Sequence, residues 1–212
     1  MSRLALLALA LAASPVAAQE GPQAFLNAGE TIEVELRADF NGDGNPDLAY
    51  VAAKEDAREL RVVTSYVNET DFGENPVQIL ALDAYPLADA ALAVKGNLRG
   101  KVLVLEELTG GTTAVASTHR FRWDSTQGVM MLIGLDATLY SRTFAHDGRE
   151  ASWNLLTGDL VTRTLQLNTG GGDAAYAKVD EKRRKKPSPP LALEESPSGD
   201  ELLGWLVAGP DR

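Results

Sequence analysis

Short runs of alternating apolar and polar residues constrain this chain more than any other feature. Ile32, Val34 and Leu36 alternate with Glu33, Glu35 and Arg37, which gives an extended strand one apolar and one polar face. Leu48 to Ala53 is apolar almost throughout, and Leu60 to Val67 is rich in β-branched residues. Val77 to Leu82 and Lys101 to Leu105 are further short apolar runs. Thr113 to Trp123 and Val129 to Tyr140 flank Asp124–Gly128, which predicts a long hairpin. Ala151 to Leu156 and Leu160 to Leu167 flank Thr157-Gly158-Asp159, a second hairpin. Only Ala84 to Val94, rich in alanine, reads as a short helix. The expected fold is mainly β: an antiparallel sheet, sandwich-like or a partly closed meander, with at most one short helix and an irregular C-terminal tail.

At 212 residues and 44% hydrophobic content, the chain suffices for one domain with a real core. Its formal net charge of −10 argues against nucleic acid and anionic membrane surfaces as partners. With no cysteine, disulfides, thiolate zinc sites and a cysteine nucleophile are excluded. Histidine chemistry is confined to His119 and His146.

Arg3, the apolar run Leu4 to Ala13, and the small residues closing at Ala18 have the form of a signal peptide cut after Ala18. The mature chain is then expected in a periplasm or outside the cell, with no transmembrane segment. Residues 19–168 read as the β domain. Residues 169–200 carry Gly170-Gly171-Gly172, the run Glu181–Lys186 and then Pro187, Pro189 and Pro190, and read as loosely ordered or peripherally packed. Residues 201–212 hold an apolar patch of Leu202, Leu203, Trp205, Leu206 and Val207, expected to dock on the domain.

The segment Ala38-Asp39-Phe40-Asn41-Gly42-Asp43-Gly44-Asn45-Pro46-Asp47-Leu48 carries the main chemical signal. Calcium takes six to eight oxygen ligands, and oxygen side chains at alternate positions round a tight turn converge on one point. Asp39, Asn41 and Asp43 supply the first three, Gly44 the turn, Asn45 a carbonyl and Asp47 the closing ligand. An EF-hand needs a glutamate at the twelfth position, where Tyr50 stands, and helices where strands are expected. The stretch resembles the calcium loop of FG-GAP or VCBS-type repeats, which links neighbouring strands. That resemblance implies Asp39, Asn41, Asp43, Asn45 and Asp47 as ligands of a structural Ca2+. Such loops usually recur in series and build a propeller; a single copy does not carry that architecture over. A second resemblance covers most of residues 31–167. Phe121-Arg122-Trp123, Leu132-Ile133-Gly134 and Asn154-Leu155-Leu156-Thr157-Gly158 look like elements of a group of small exported bacterial proteins with one aspartate loop. It implies one domain and export, and brings no activity with it.

Other features carry weaker signals. Arg120, Arg122 and Trp123 are a candidate binding face, set against an ordinary solvated strand face. His146-Asp147 lacks a nucleophile elbow to serve. Glu106 and Glu107, adjacent on a strand, are expected to point to opposite faces. Lys182 to Lys186 reads as a solvated linker, with an anionic partner as the alternative. The expected function is binding, by a calcium-stabilised extracytoplasmic domain, to an envelope or extracellular component. The alternatives are an envelope-polymer hydrolase with unidentified acidic residues, and an assembly subunit using the C-terminal patch.

Overall fold

The structure is a computed structural model, and it describes residues 21–67, 72–97, 100–169 and 174–204. The expected signal peptide, Gly170 to Gly172, and Trp205, Leu206 and Val207 lie outside the described residues. Thirteen strands are described: β1 Thr31–Ala38, β2 Asp47–Lys54, β3 Ala57–Val63, β4 Ser65–Val67, β5 Phe72–Glu74, β6 Gln78–Leu82, β7 Ala88–Asn97, β8 Gly100–Gly110, β9 Thr113–Asp124, β10 Val129–Ser141, β11 Gly148–Asn154, β12 Asp159–Leu167 and β13 Tyr176–Lys185. One short helix, α1, spans Gly199–Gly204. A four-stranded sheet has the order β1-β2-β3-β6 and a seven-stranded sheet the order β13-β12-β11-β10-β9-β8-β7, with β4 and β5 as a separate hairpin. The fold is mainly β and antiparallel, and it does not close into a barrel. No described helix is long and apolar enough to cross a membrane.

Alternation along the strands explains the layering. In β9, Val115, Ser117, His119 and Phe121 share a face, opposite Leu139, Ala137, Leu135 and Leu132 of β10. The register shifts between Leu132 and Gly134. That extra residue lets Leu132 and Leu135 both face inward, which strict alternation forbids. One half of this inner face, around Leu103, Leu105, Phe121 and Met130, packs with Ala49, Val51, Leu60 and Val62 of the smaller sheet. The other half, around Leu135, Ala151, Trp153 and Leu160, packs with Leu202 and Leu203. A third cluster on the far side of β2 joins Leu48 and Tyr50 to Phe25 and Leu26. Thus β2 is buried on both faces, as its continuous apolar run requires.

Two expectations are corrected. The alanine-rich stretch is not a helix: Ala88–Asn97 is β7, paired with β8. Ala90 joins the core between the sheets, with Leu92 and Val94 packed against it. Burial at every second position outweighs the small helix preference of alanine. Nor is the charged run a loose linker, since Tyr176–Lys185 is β13, an edge strand on β12. Its cations meet acids on neighbouring strands: Lys185 with Asp159 at 2.7 Å, Lys178 with Glu150 at 2.6 Å. Charge along an edge keeps further strands from adding to it.

The residues after β13 are fastened down as well. The Trp153 indole N–H donates to the Lys186 carbonyl at 2.9 Å, and the Leu132 N–H to the Leu191 carbonyl at 2.9 Å. β11 stops at Asn154, opposite Gly134, so Leu191 and Ala192 take up the vacated edge of β10. Gly199 then crosses β9 so closely that a Cβ there would lie 2.8 Å from the Ser117 Cβ. Ser198 and Glu201 cap α1 reciprocally: the Glu201 N–H donates to Ser198 Oγ at 3.2 Å and the Ser198 N–H to Glu201 Oε2 at 2.7 Å.

Candidate functional site

The aspartate loop joins β1 to β2. Its odd-numbered members Asp39, Asn41, Asp43 and Asn45 are half-buried and Asp47 is buried, while Gly42, Gly44 and Pro46 are exposed. All five expected ligands therefore sit on the inner side of the turn. Two residues make the bend, since Gly42 and Gly44 have φ of 84° and 92°, a region costly for any side chain. Phe40 breaks the alternation by entering the core between the sheets, which anchors the loop.

Asp47 holds the loop together. Its Oδ2 accepts from the Phe40 N–H at 2.6 Å and the Asn41 N–H at 3.2 Å. Its Oδ1 accepts from the Ser65 N–H at 2.8 Å and the Ser65 hydroxyl at 3.1 Å. Burial pushes its carboxyl above the ordinary value, against the pull of these hydrogen bonds. Asn41 Nδ2 donates to the Ser65 carbonyl at 2.5 Å, so the start of β4 is tied to the loop. Asp39 accepts from the Gly42 N–H at 2.6 Å and the Gly44 N–H at 3.3 Å. Asp43 Oδ1 accepts from the Asn45 N–H at 2.7 Å, and its Oδ2 lies 3.1 Å from Ser65 Oγ, so Asp43 and Asp47 share the one proton of that hydroxyl.

Three carboxylates and two amides form an all-oxygen donor set, the kind a hard cation takes. As arranged, the loop answers them with its own N–H groups, and no three acidic or histidine side chains gather as a cage among the described residues. The Asp39 oxygens accept one hydrogen bond each and keep lone-pair capacity for a cation, whereas each Asp47 oxygen already accepts two. The donor set is of the kind calcium takes, on a loop that its own hydrogen bonds already hold.

The candidate face of Arg120, Arg122 and Trp123 does not form as one surface. Arg120 and Arg122 share a side of β9, and Arg120 pairs with Asp136 at 2.7 Å. Trp123, one position on from Arg122, packs against the core between the sheets. The structure instead brings Arg122 and Trp123, at the end of β9, beside the aspartate loop. With Lys101, Ser125 and Asp39 to Gly42 they line an open groove of about 770 Å3.

The remaining candidates resolve simply. Glu106 is exposed, while Glu107 points inward to Arg58 at 3.4 Å. They form no acid/base pair. His146 Nδ1 meets the Asp147 carbonyl at 2.7 Å, and the Asp147 carboxylate accepts from the Leu167 N–H at 2.7 Å, so no relay forms. His119 is buried: it is 2% exposed and stacked on Phe121 with ring centroids 6.0 Å apart.

Two buried arginines belong to polar networks that alternation alone half discloses. Arg58 shares its face with Leu60 and Val62, which places a guanidinium in the core. It grips Glu33 bidentately at 2.8 and 2.7 Å and reaches the Asp83 carbonyl at 2.7 Å. Glu33 faces it because the register of β1 shifts between Ile32 and Val34. Arg61, on the opposite face of β3, grips Glu30 at 2.8 and 2.6 Å and holds its carboxyl down at about 2. No family model, curated protein or solved structure matches the chain.

Proposed function

We propose that the chain is a calcium-stabilised extracytoplasmic β domain that acts by binding an envelope or extracellular component. The metal is structural and sits at Asp39, Asn41, Asp43, Asn45 and Asp47. The observation that carries the reading is the shared groove: Asp39 to Gly42 of the loop face Arg122, Trp123 and Lys101 across it. Whatever orders the loop therefore shapes one wall of the groove. Arg122 and Lys101 set two cations beside an indole, which suits a partner presenting an acidic group next to an apolar or ring surface.

The test is calorimetric titration of an acidic envelope polysaccharide into the full chain, in calcium and in chelator. Wild type is compared with Arg122→Ala. The reading expects binding that weakens about tenfold in the variant, the loss usual for a charged hydrogen-bonding anchor. It also expects weaker binding in chelator. Affinity that Arg122→Ala leaves unchanged removes the groove from the account. Affinity indifferent to chelator alone separates the groove from the metal.

A further inference from the structure

The cations of β11, β12 and β13 divide by the face of the large sheet on which they stand. On the outer face, turned away from α1, each has an acid. Arg163 and Lys178 meet Glu150, Arg163 and Arg183 meet Glu181, and Lys185 meets Asp159. The inner face carries Ala151, Trp153 and Leu160, packed with Leu202 and Leu203. Arg149 stands two residues before Ala151 on β11, Lys182 is opposite Thr162, and Arg184 is opposite Leu160. Alternation therefore turns all three to the inner side. None of the three has an ion pair or a side-chain hydrogen bond among the described residues. Glu181, beside Lys182 in the chain, turns to Arg163 on the outer face.

Thr162 is the centre of this group. Lys182 is its direct neighbour across the ladder. Arg149 pairs with Thr164 and Arg184 with Leu160, so the two arginines are its diagonal neighbours, one on each side. Direct neighbours have Cβ atoms about 5 Å apart and diagonal ones about 7–8 Å, within reach of long side chains. Three cationic head groups can therefore meet above the Thr162 hydroxyl, with that of Thr164 next along the strand. Neither hydroxyl has a partner among the described residues. Arg149, Thr162 and Thr164 are half-buried, and Lys182 and Arg184 are exposed, so a solute can reach the place. In a chain of net charge −10, three unanswered cations within reach of one point form a local field that an anion neutralises.

We infer that this face binds a small soluble ligand through a phosphate group. Guanidinium and ammonium groups only donate, hydroxyls can donate, and phosphate oxygens accept. A guanidinium on either side takes phosphate oxygens in bidentate fashion, and Lys182 adds a point charge. A carboxylate, with one charge and two oxygens, engages fewer of these donors. An anionic membrane is disfavoured because the net charge of the chain repels it. The site shares no residue with the aspartate loop or its groove, so it stands or falls apart from the proposed function.

The experiment titrates inorganic phosphate into the full chain, in chelator and at low ionic strength, and follows the amide resonances of Thr162, Thr164 and Lys182. Acetate is the singly charged control, and vesicles of phosphatidylcholine with phosphatidic acid form a separate arm. The inference expects saturable shifts with phosphate and much weaker ones with acetate. Arg149→Gln and Lys182→Gln are each expected to weaken binding about tenfold, the loss of one charge-assisted contact. Lys182 is exposed, so its variant serves should Arg149→Gln fail to fold. Arg183→Gln removes the same charge from the outer face and is expected to leave affinity unchanged. Thr162→Val, which keeps shape and charge, is expected to bind more weakly than wild type. Three results overturn the inference: phosphate shifts that are absent or do not saturate, Arg183→Gln weakening binding as much as Arg149→Gln, or binding to the vesicles with no response to phosphate.

Discussion

The aspartate loop and the region where His119 of β9 meets the Ser196–Glu201 segment both set polar groups into an apolar fold, and they differ in how those groups are answered. In the loop, Asp47 accepts four hydrogen bonds, and Asp39 and Asp43 cap the turn's own N–H groups. Around His119, two buried atoms, His119 Nδ1 and Ser196 Oγ, have no partner. A satisfied cluster fixes backbone and contributes to stability whether or not a ligand comes. An unsatisfied one costs stability until something arrives. On the proposed reading, calcium adds to a turn that already holds, and removal of the metal is expected to leave the domain folded.

The largest expected effect tests the satisfied side. Asp47→Ala, studied in chelator so that metal plays no part, leaves the N–H groups of Phe40, Asn41 and Ser65 without their acceptor. Urea denaturation is expected to show a loss of about 3 kcal/mol or more. A loss under about 1 kcal/mol breaks the claim that hydrogen bonds hold the loop.

Next comes the pH dependence set by buried His119. The folded pKa of His119, about 4, lies below the unfolded value of 6.5. The native state then binds fewer protons between those values. The contribution is whole above pH 6.5, is lost as the pH falls toward about 4, and levels off below. The full swing is about 3 kcal/mol. Burial raises the carboxyls of Asp47 and Glu107, which acts in the opposite sense, so the measurement is the difference in slope between wild type and His119→Phe. Equal slopes place the imidazole in water.

Smaller again is Gly199→Val, which drives a side chain into Ser117 and Val115 and pushes the Ser196–Glu201 segment off β9. About 1–3 kcal/mol is expected from chemical denaturation, the usual range for overpacking. The smallest effect belongs to Ser196→Ala. Because its Oγ is buried with no partner, removing it relieves a desolvation cost, and stability is expected to rise by up to about 1 kcal/mol. A clear loss would reveal a bond the comparison denies.

Much of this arrangement can be read from spacing. Alternation places β1, β2, β9 and β10 directly, and the continuous apolar run of β2 marks it as buried on both faces. The same parity puts His119 inside with Phe121 and Val115, and Arg58 inside with Leu60 and Val62. The spacing of Ser198 and Glu201 is that of a helix-capping pair. Local composition misleads where long-range pairing decides. Alanines between Ala84 and Val94 suggest a helix until β8 offers a ladder. Cations at Lys182 to Lys186 suggest a linker until β12 offers a ladder, on which they stay solvated beside Asp159 and Glu181. No local rule brings Ser65 to Asp47, or Glu33 inward at a bulge, because both depend on how strands distant in sequence come into register.

The central claim is that the loop takes calcium as a structural ligand. Its most direct test is the thermal midpoint of the full chain in calcium, in magnesium and in chelator, for wild type and Asp43→Ala. At calcium tenfold above the dissociation constant, binding contributes about 1.4 kcal/mol, a rise of about 3–5 °C in wild type over chelator. Magnesium is expected to give less, and Asp43→Ala little or nothing. A wild-type midpoint that is the same in calcium and chelator, or a rise of equal size in Asp43→Ala, contradicts the account.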